Sequence, residues 1–267
     1  MERAAPAGKG HYSQIDALKG IAIFLVVLGH SIILYPIDLH QNGICEFIFR
    51  WLSSVHMPLF FVISGFCFSY QGGYRKYIWK KVKRLLVPYL VFNALDVVPR
   101  YLFPSLVNRP RGIGESVQKI IFDGGEYWFL YVLFIIFLIY PLIDKLTANS
   151  MLFAAALPAL WLVLLKLGVP WLNIPMALLG ILVFYLCAQY GMVVGIFQRF
   201  GRYSLQIYLF NGFLLVISRT VIVSVLEVSN PFIIIAFNML VDFFLSYIVI
   251  KYICERIKPA KILMGMA

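Results

Sequence analysis

Near-continuous apolar runs of about 16 to 25 residues recur along the whole chain, and that is the length of helix that crosses about 30 Å of hydrocarbon. Barrel strands would instead show short alternating segments. With 62% hydrophobic residues, 13% charged and a mean hydropathy of +0.87, 267 residues cannot hide their apolar surface in one soluble core. The fold class is therefore all-α, a polytopic transmembrane helical bundle. Eight spans are expected, at about 15–35, 51–70, 82–101, 127–143, 151–167, 171–191, 203–225 and 231–253. They form one transmembrane domain, 15–253, between an N-terminal tail, 1–14, and a C-terminal tail, 254–267.

The first span is unusual in what it carries. Eleven of the twelve residues from Ala17 to Leu28 are apolar or glycine, yet the segment opens with Asp16 and Lys19 and holds His30 well inside. Ionisable groups are costly in hydrocarbon, so a span that keeps them reads first as a functional site. Eleven positions separate Lys19 from His30, which on an α-helix returns to within about 20° of the same face, about 16.5 Å along the axis. Asp16 is about 21 Å from His30; it can pair with Lys19 but cannot orient the histidine. Because the segment ends in His30, Tyr35 and Pro36 rather than at a small-residue cleavage site, it is expected to be an uncleaved span.

Orientation follows from Lys and Arg. In this arrangement sixteen fall on the side of the two termini, against seven on the other, Arg50, Arg100, Arg109, Arg111, Lys119, Lys166 and Arg219. Both termini are expected in the cytoplasm of a multi-pass cell-membrane protein. The net charge of +11 is then topology rather than a nucleic-acid surface. The four cysteines, Cys45, Cys67, Cys187 and Cys254, are far apart and indicate neither a metal site nor a disulfide framework.

Each polar residue in the spans has a structural and a chemical reading. His30 is either a histidine hydrogen-bonded between helices or a general base, since a neutral imidazole takes a proton from a hydroxyl near physiological pH. Its orienting partner must come from another helix at similar depth, and His56, Asn93, Asp96, Glu126 and Asn238 are all open to that role. His56 opens the second span, with Pro58 in the tolerated first turn; it is either half-solvated or a substrate contact. Lys80-Lys-Val-Lys-Arg84 is either a lipid anchor or a phosphate cradle in which Arg84 supplies a forked donor and Lys81 and Lys83 point charges. Tyr127-Trp128 can be an interfacial anchor. The loop of about 102–126 can shape a substrate entrance. Arg202, Ser204, Gln206 and Asn211 add polar groups to the seventh span.

In order and content, these motifs resemble the acyltransferase family 3 of integral membrane acyltransferases. The resemblance lies in Asp16-Ala-Leu-Lys-Gly-Ile-Ala with Gly29-His30, HMPLFFVISGF from His56, KKVKRLLVP from Lys80, YWFL from Tyr127 and GRYSLQIYL from Gly201. It implies transfer of an acyl group, usually acetyl from acetyl-CoA, to a hydroxyl of a carbohydrate or lipid-linked glycan. Acyl-CoA is then a donor substrate, with no permanently bound cofactor, and the remaining partners are the acceptor and membrane lipid. By that analogy His30 is the catalytic histidine, Lys19 falls on the family's basic residue ahead of it, and the family's RxxR pair for acyl-CoA falls on Lys81 and Arg84. Asp16, His56, Asn93, Asp96, Glu126, Trp128 and Asn211 are the second-tier candidates around substrate.

Departures accompany the match. Lysine replaces arginine at 19 and 81, which removes the bidentate fork. Asn211 stands where the family often has a histidine, and about eight spans replace about ten. The competing class is a transporter or flippase of a polar lipid or glycan intermediate, which would line a pathway with the same buried charges; the repeat symmetry typical of that class is not evident in the sequence.

Overall fold

A computed structural model describes residues 13–33, 37–68, 73–102, 111–146 and 194–266, and among these the regular elements are all helical. We number them α1 (Ser13–Ile33), α2 (Gly43–Phe66), α3 (Tyr74–Leu102), α4 (Ile113–Phe122), α5 (Trp128–Leu146), α6 (Val194–Arg202), α7 (Ser204–Val225), α8 (Pro231–Cys254) and α9 (Lys258–Leu263). Five of them are long and apolar enough to cross a membrane: α1, α2, α3, α7 and α8. In α5 the apolar stretch is shorter, Trp128–Ile139. The spans expected at 151–167 and 171–191 lie outside the described residues, as does the N-terminal tail to residue 12.

Three elements differ from expectation. The second span begins at Gly43, not at 51, because the Asn42 side chain accepts hydrogen bonds from the backbone of Ile44 and Cys45 and caps the first turn. Glu46 and Arg50, one turn apart at 2.6 Å, carry the polar start of the helix. His56 therefore stands mid-helix, and Pro58 lies inside the helix rather than in its first turn. The third span likewise starts earlier, so that Lys80 to Arg84 are helical rather than a loop. Tyr77 anchors this extension, buried beside Phe68 and Phe137, while the Tyr74 hydroxyl donates to Leu138 O at 2.9 Å. A π-turn, Val82–Leu86, interrupts α3 just before Pro88. Its cause is local: Pro88 has no N–H for the carbonyl of Arg84 and its ring crowds that carbonyl, and a widened turn relieves both. Third, the expected loop 102–126 carries the helix α4.

α1 is the central helix, with 72% of its most apolar window buried against 28% for α2 and α3. It packs on α2, α6, α7 and α8. The crossing with α6 is a backbone contact made possible by two glycines. A Cβ on Gly20 would sit 1.9 Å from Phe197 O, and one on Gly201 would sit 1.7 Å from Asp16 O. α7 continues from α6 and runs beside α1 in the same direction, since Gly201 meets Asp16 at one end while Arg219 meets Ser31 and Ile32 at the other. The second apolar cluster, Leu85, Tyr89, Phe92, Leu130, Leu133 and Leu209 among others, joins α3, α5 and α7.

Candidate active site

At the Asp16 end of the bundle, α1, α2, α3, α5 and α7 enclose a cavity of about 330 Å³. Four cations reach it: Lys19, Lys81, Arg84 and Arg202. One carboxylate, Asp16, shares the wall and lies 3.6 Å from Lys19. Among the described residues no carboxylate pairs with Lys81, Arg84 or Arg202. Lys81 instead sits 3.6 Å from the centre of the Phe137 ring, within electrostatic range of Arg84. Like charges held together without a counter-charge suit an anion that arrives from outside. Lys83 is not on this wall; its ammonium lies over the exposed Trp79 ring at 5.8 Å. Helical spacing sets this division, because residues three apart, Lys81 and Arg84, share a face while Lys83, two from Lys81, points away.

Deeper in, the wall becomes apolar and aromatic: Phe60, Phe129, Leu130, Leu133 and Phe137, ending at Met57 and Tyr208. Phe129 touches both Phe60 and Tyr208, with ring centres 5.6 and 5.9 Å apart. Met57 is next in the chain to His56, and Tyr208 is about one turn before Asn211. His30 does not line this cavity; it stands at the end of the stripe that begins with Lys19. Its imidazole is within electrostatic range of His56 and Glu126 and beside the Asn211 amide. Yet both polar atoms of Asn211, which is fully buried, lack a partner at ordinary hydrogen-bond geometry. The His56 Nδ1–H donates to Leu52 O, which leaves Nε2 as an acceptor. Two imidazoles and one unsatisfied amide thus face one another inside the bundle.

The other candidates form a second group toward the opposite end of α3, with the Glu126 charge still within electrostatic range of His30 and Tyr208. Asn93 donates to Tyr89 O at 2.9 Å and accepts from the Glu126 backbone N–H at 3.1 Å, so both its polar atoms are committed. Gly125, with φ of +63°, lets the chain pass so close that a Cβ there would lie 2.1 Å from Asn93 Oδ1. Asp96 accepts from Arg100 at 2.5 Å. Glu126 is held by Lys119 at 2.8 Å, Arg111 at 2.9 Å and Arg100 at 3.5 Å. Burial pushes the Glu126 carboxyl up, but the Lys119 hydrogen bond, the Arg100 charge and the Arg111 hydrogen bond outweigh it and hold the group down at about 2. Trp128 is 40% exposed and touches neither group.

Sequence reasoning did not single out Arg202 or Tyr208 as cavity walls. The signal was present in Gly201-Arg202, since a glycine needed for helix contact fixes its neighbour beside Asp16. Arg219, counted among the cations opposite the termini, is instead completely buried.

A family model described as an acyltransferase domain matches residues 12–173, more than half of the chain. The chain belongs to acyltransferase family 3. Two curated relatives, both called nodulation protein NolL, are similar over part of their length. The one from Sinorhizobium fredii is 30% identical over 128 residues, 46% of this chain, and the one from Mesorhizobium japonicum is 28% identical over 145 residues, 51% of this chain. The matched stretches span 34% and 37% of those relatives. No solved structure matches the chain.

Proposed function

We propose that the chain is a membrane acyltransferase that takes an acyl group, acetyl by the family resemblance, from acyl-CoA to a hydroxyl of a carbohydrate or lipid-linked glycan. The observation that carries this reading is the convergence of Lys19, Lys81, Arg84 and Arg202 on one cavity holding a single carboxylate. In it the donor's phosphates sit on Lys81, Arg84 and Arg202, and its thioester arm lies along Phe60, Phe129 and Phe137 toward His30. His30 takes the proton of the acceptor hydroxyl, the oxygen bonds to the thioester carbonyl carbon, and the C–S bond breaks. The proton leaves with the sulfur as free CoA thiol. The Asn211 amide N–H is the donor for the oxyanion in this reading, and His56, through its Nε2 acceptor, takes a hydrogen bond from the His30 imidazole N–H.

Purified protein in detergent, supplied with acetyl-CoA, should release CoA, faster when a glycan acceptor is added. His30→Ala should lower turnover by about 10²- to 10⁴-fold, the usual contribution of a general base, without loss of folded protein. Near-wild-type turnover in that variant would remove His30 from the chemistry.

A further inference from the structure

We infer that Arg219 is a positioning residue for His30, clamping the end of α1 so that the imidazole stays in register with Asn211 on α7. The inference rests on the proposed role of His30.

Arg219 has no solvent exposure, although it is the longest cationic side chain available. One terminal nitrogen donates to Ser31 O at 2.8 Å. The other donates to Ile32 O at 3.3 Å and to Ile37 O. Ser31 and Ile32 fall within the last four residues of α1, whose carbonyls have no donor within their own helix. In a bilayer no water replaces that donor, so a buried guanidinium is a fitting cap, and its charge also complements the negative end of the helix. The Asp38 carboxylate lies within electrostatic range and offsets the charge. One side chain therefore holds both the helix end and Ile37 beyond it.

The clamp bears on His30 because of where it stands on α7. Arg219 follows Asn211 by eight residues, about 12 Å along the same helix. α1 is pinned to α6 and the start of α7 at Gly20 and Gly201, and to the far end of α7 by Arg219. Between these pins lie His30 and Asn211, and His30 is the residue immediately before the clamped Ser31. Small local displacement is costly in such a site, since a misplacement of 1 Å lowers a rate by about 10²-fold. The Nε of Arg219 has no partner, so packing and the terminal nitrogens alone fix the group.

The test compares wild type with Arg219→Lys, which keeps the charge but loses the fork, and Arg219→Gln, which keeps a donor but loses the charge. For each, kcat, the donor KM and the melting temperature are measured in detergent. Asn230→Ala serves as the purely structural control, because the Asn230 side chain only caps the start of α8, accepting from the backbone N–H groups of Phe232 and Ile233. Expected are a fall in kcat of about 10²-fold with donor KM unchanged for Arg219→Lys, and lowered melting with unchanged kcat for the control. Unchanged kcat in a folded Arg219 variant would overturn the inference. So would failure of both variants to yield folded protein, which would assign Arg219 to stability alone. If wild type itself transfers no acyl group, the proposed function falls. The clamp is then decided by the rate at which diethylpyrocarbonate modifies His30, read by mass spectrometry. A severalfold difference between wild type and Arg219→Lys supports it, and equal rates overturn it.

Discussion

The two charged regions of this molecule are built from the same residue types and arranged in opposite ways. At the Glu126 end, Arg100, Arg111 and Lys119 all converge on one carboxylate, and Asp96 takes a further bond from Arg100. The only space among them is about 10 Å³. At the Asp16 end, Lys81, Arg84 and Arg202 surround a cavity more than an order of magnitude larger and meet no carboxylate among the described residues. The first arrangement has satisfied its charges internally and left no room; it is a fastening. The second has left its charges to be satisfied by something else. A count of cations treats the two regions alike, and only the placement of the carboxylates separates them.

The comparison breaks most directly at the cavity. Replacing Lys81 and Arg84 together with glutamine should raise the donor KM by about 10²-fold, because each charge-assisted contact is worth roughly 1.5–3 kcal/mol. The acceptor KM and the melting temperature should change little. A large fall in melting temperature with unaltered donor kinetics would make this region a fastening too.

The converse change is Glu126→Gln, which leaves Arg111 and Lys119 without their shared partner. It should destabilise the fold by about 1–3 kcal/mol, read as a lower melting temperature, with donor KM unchanged. The same group gives a pH signature. Its folded-state value is depressed from 4.5 to about 2, so its stabilising contribution is complete above about 4.5 and is lost as the pH falls toward about 2. Thermal melts of wild type should show a steeper loss over that window than melts of Glu126→Gln. Parallel curves would remove the carboxylate as the fastening's centre.

The smallest effect is expected from Arg75→Gln with Lys76→Gln. Both residues are on α3, near the cavity cations in sequence but not on the cavity wall. Donor KM should stay within about twofold, as for charges that act only through a screened surface field. An effect equal to that of the Lys81 and Arg84 pair would replace the site by a diffuse basic surface.

Much of this was legible in sequence where one local signal dominated. The apolar run from Ala17 defined α1, and the spacing of Lys19 and His30 gave its face. Asn230-Pro231 fixed the start of α8, because a capping side chain followed by proline at the first helical position is a strong signal. Asn42 offered a similar cap, but Gly43, Glu46 and Arg50 diluted the apolar signal and hid the true start of α2. The π-turn in α3 has no pattern of its own and only Pro88 hints at it, whereas the separation of Lys83 from Lys81 and Arg84 follows from helical spacing once the segment is known to be helix. Arg219 misled for a different reason. A charge near the end of an apolar run looks like a loop residue until a neighbouring helix end, distant in sequence, supplies the carbonyls that let it be buried. Asn211 was visible as a polar group of the seventh span and as a departure from the family's pattern, but its relation to His30 required the parallel course of α1 and α7.

The central place of α1 has a consequence for how the protein is made. Of the described helices the ribosome delivers α1 first, but α6, α7 and α8, which cover much of it, emerge more than a hundred and sixty residues later. At ~5–20 residues per second that interval is on the order of ten seconds. Throughout it, His30 stands in or beside the translocation channel without the helix that carries Asn211. The proposed base is thus synthesised well before the amide that stands beside it.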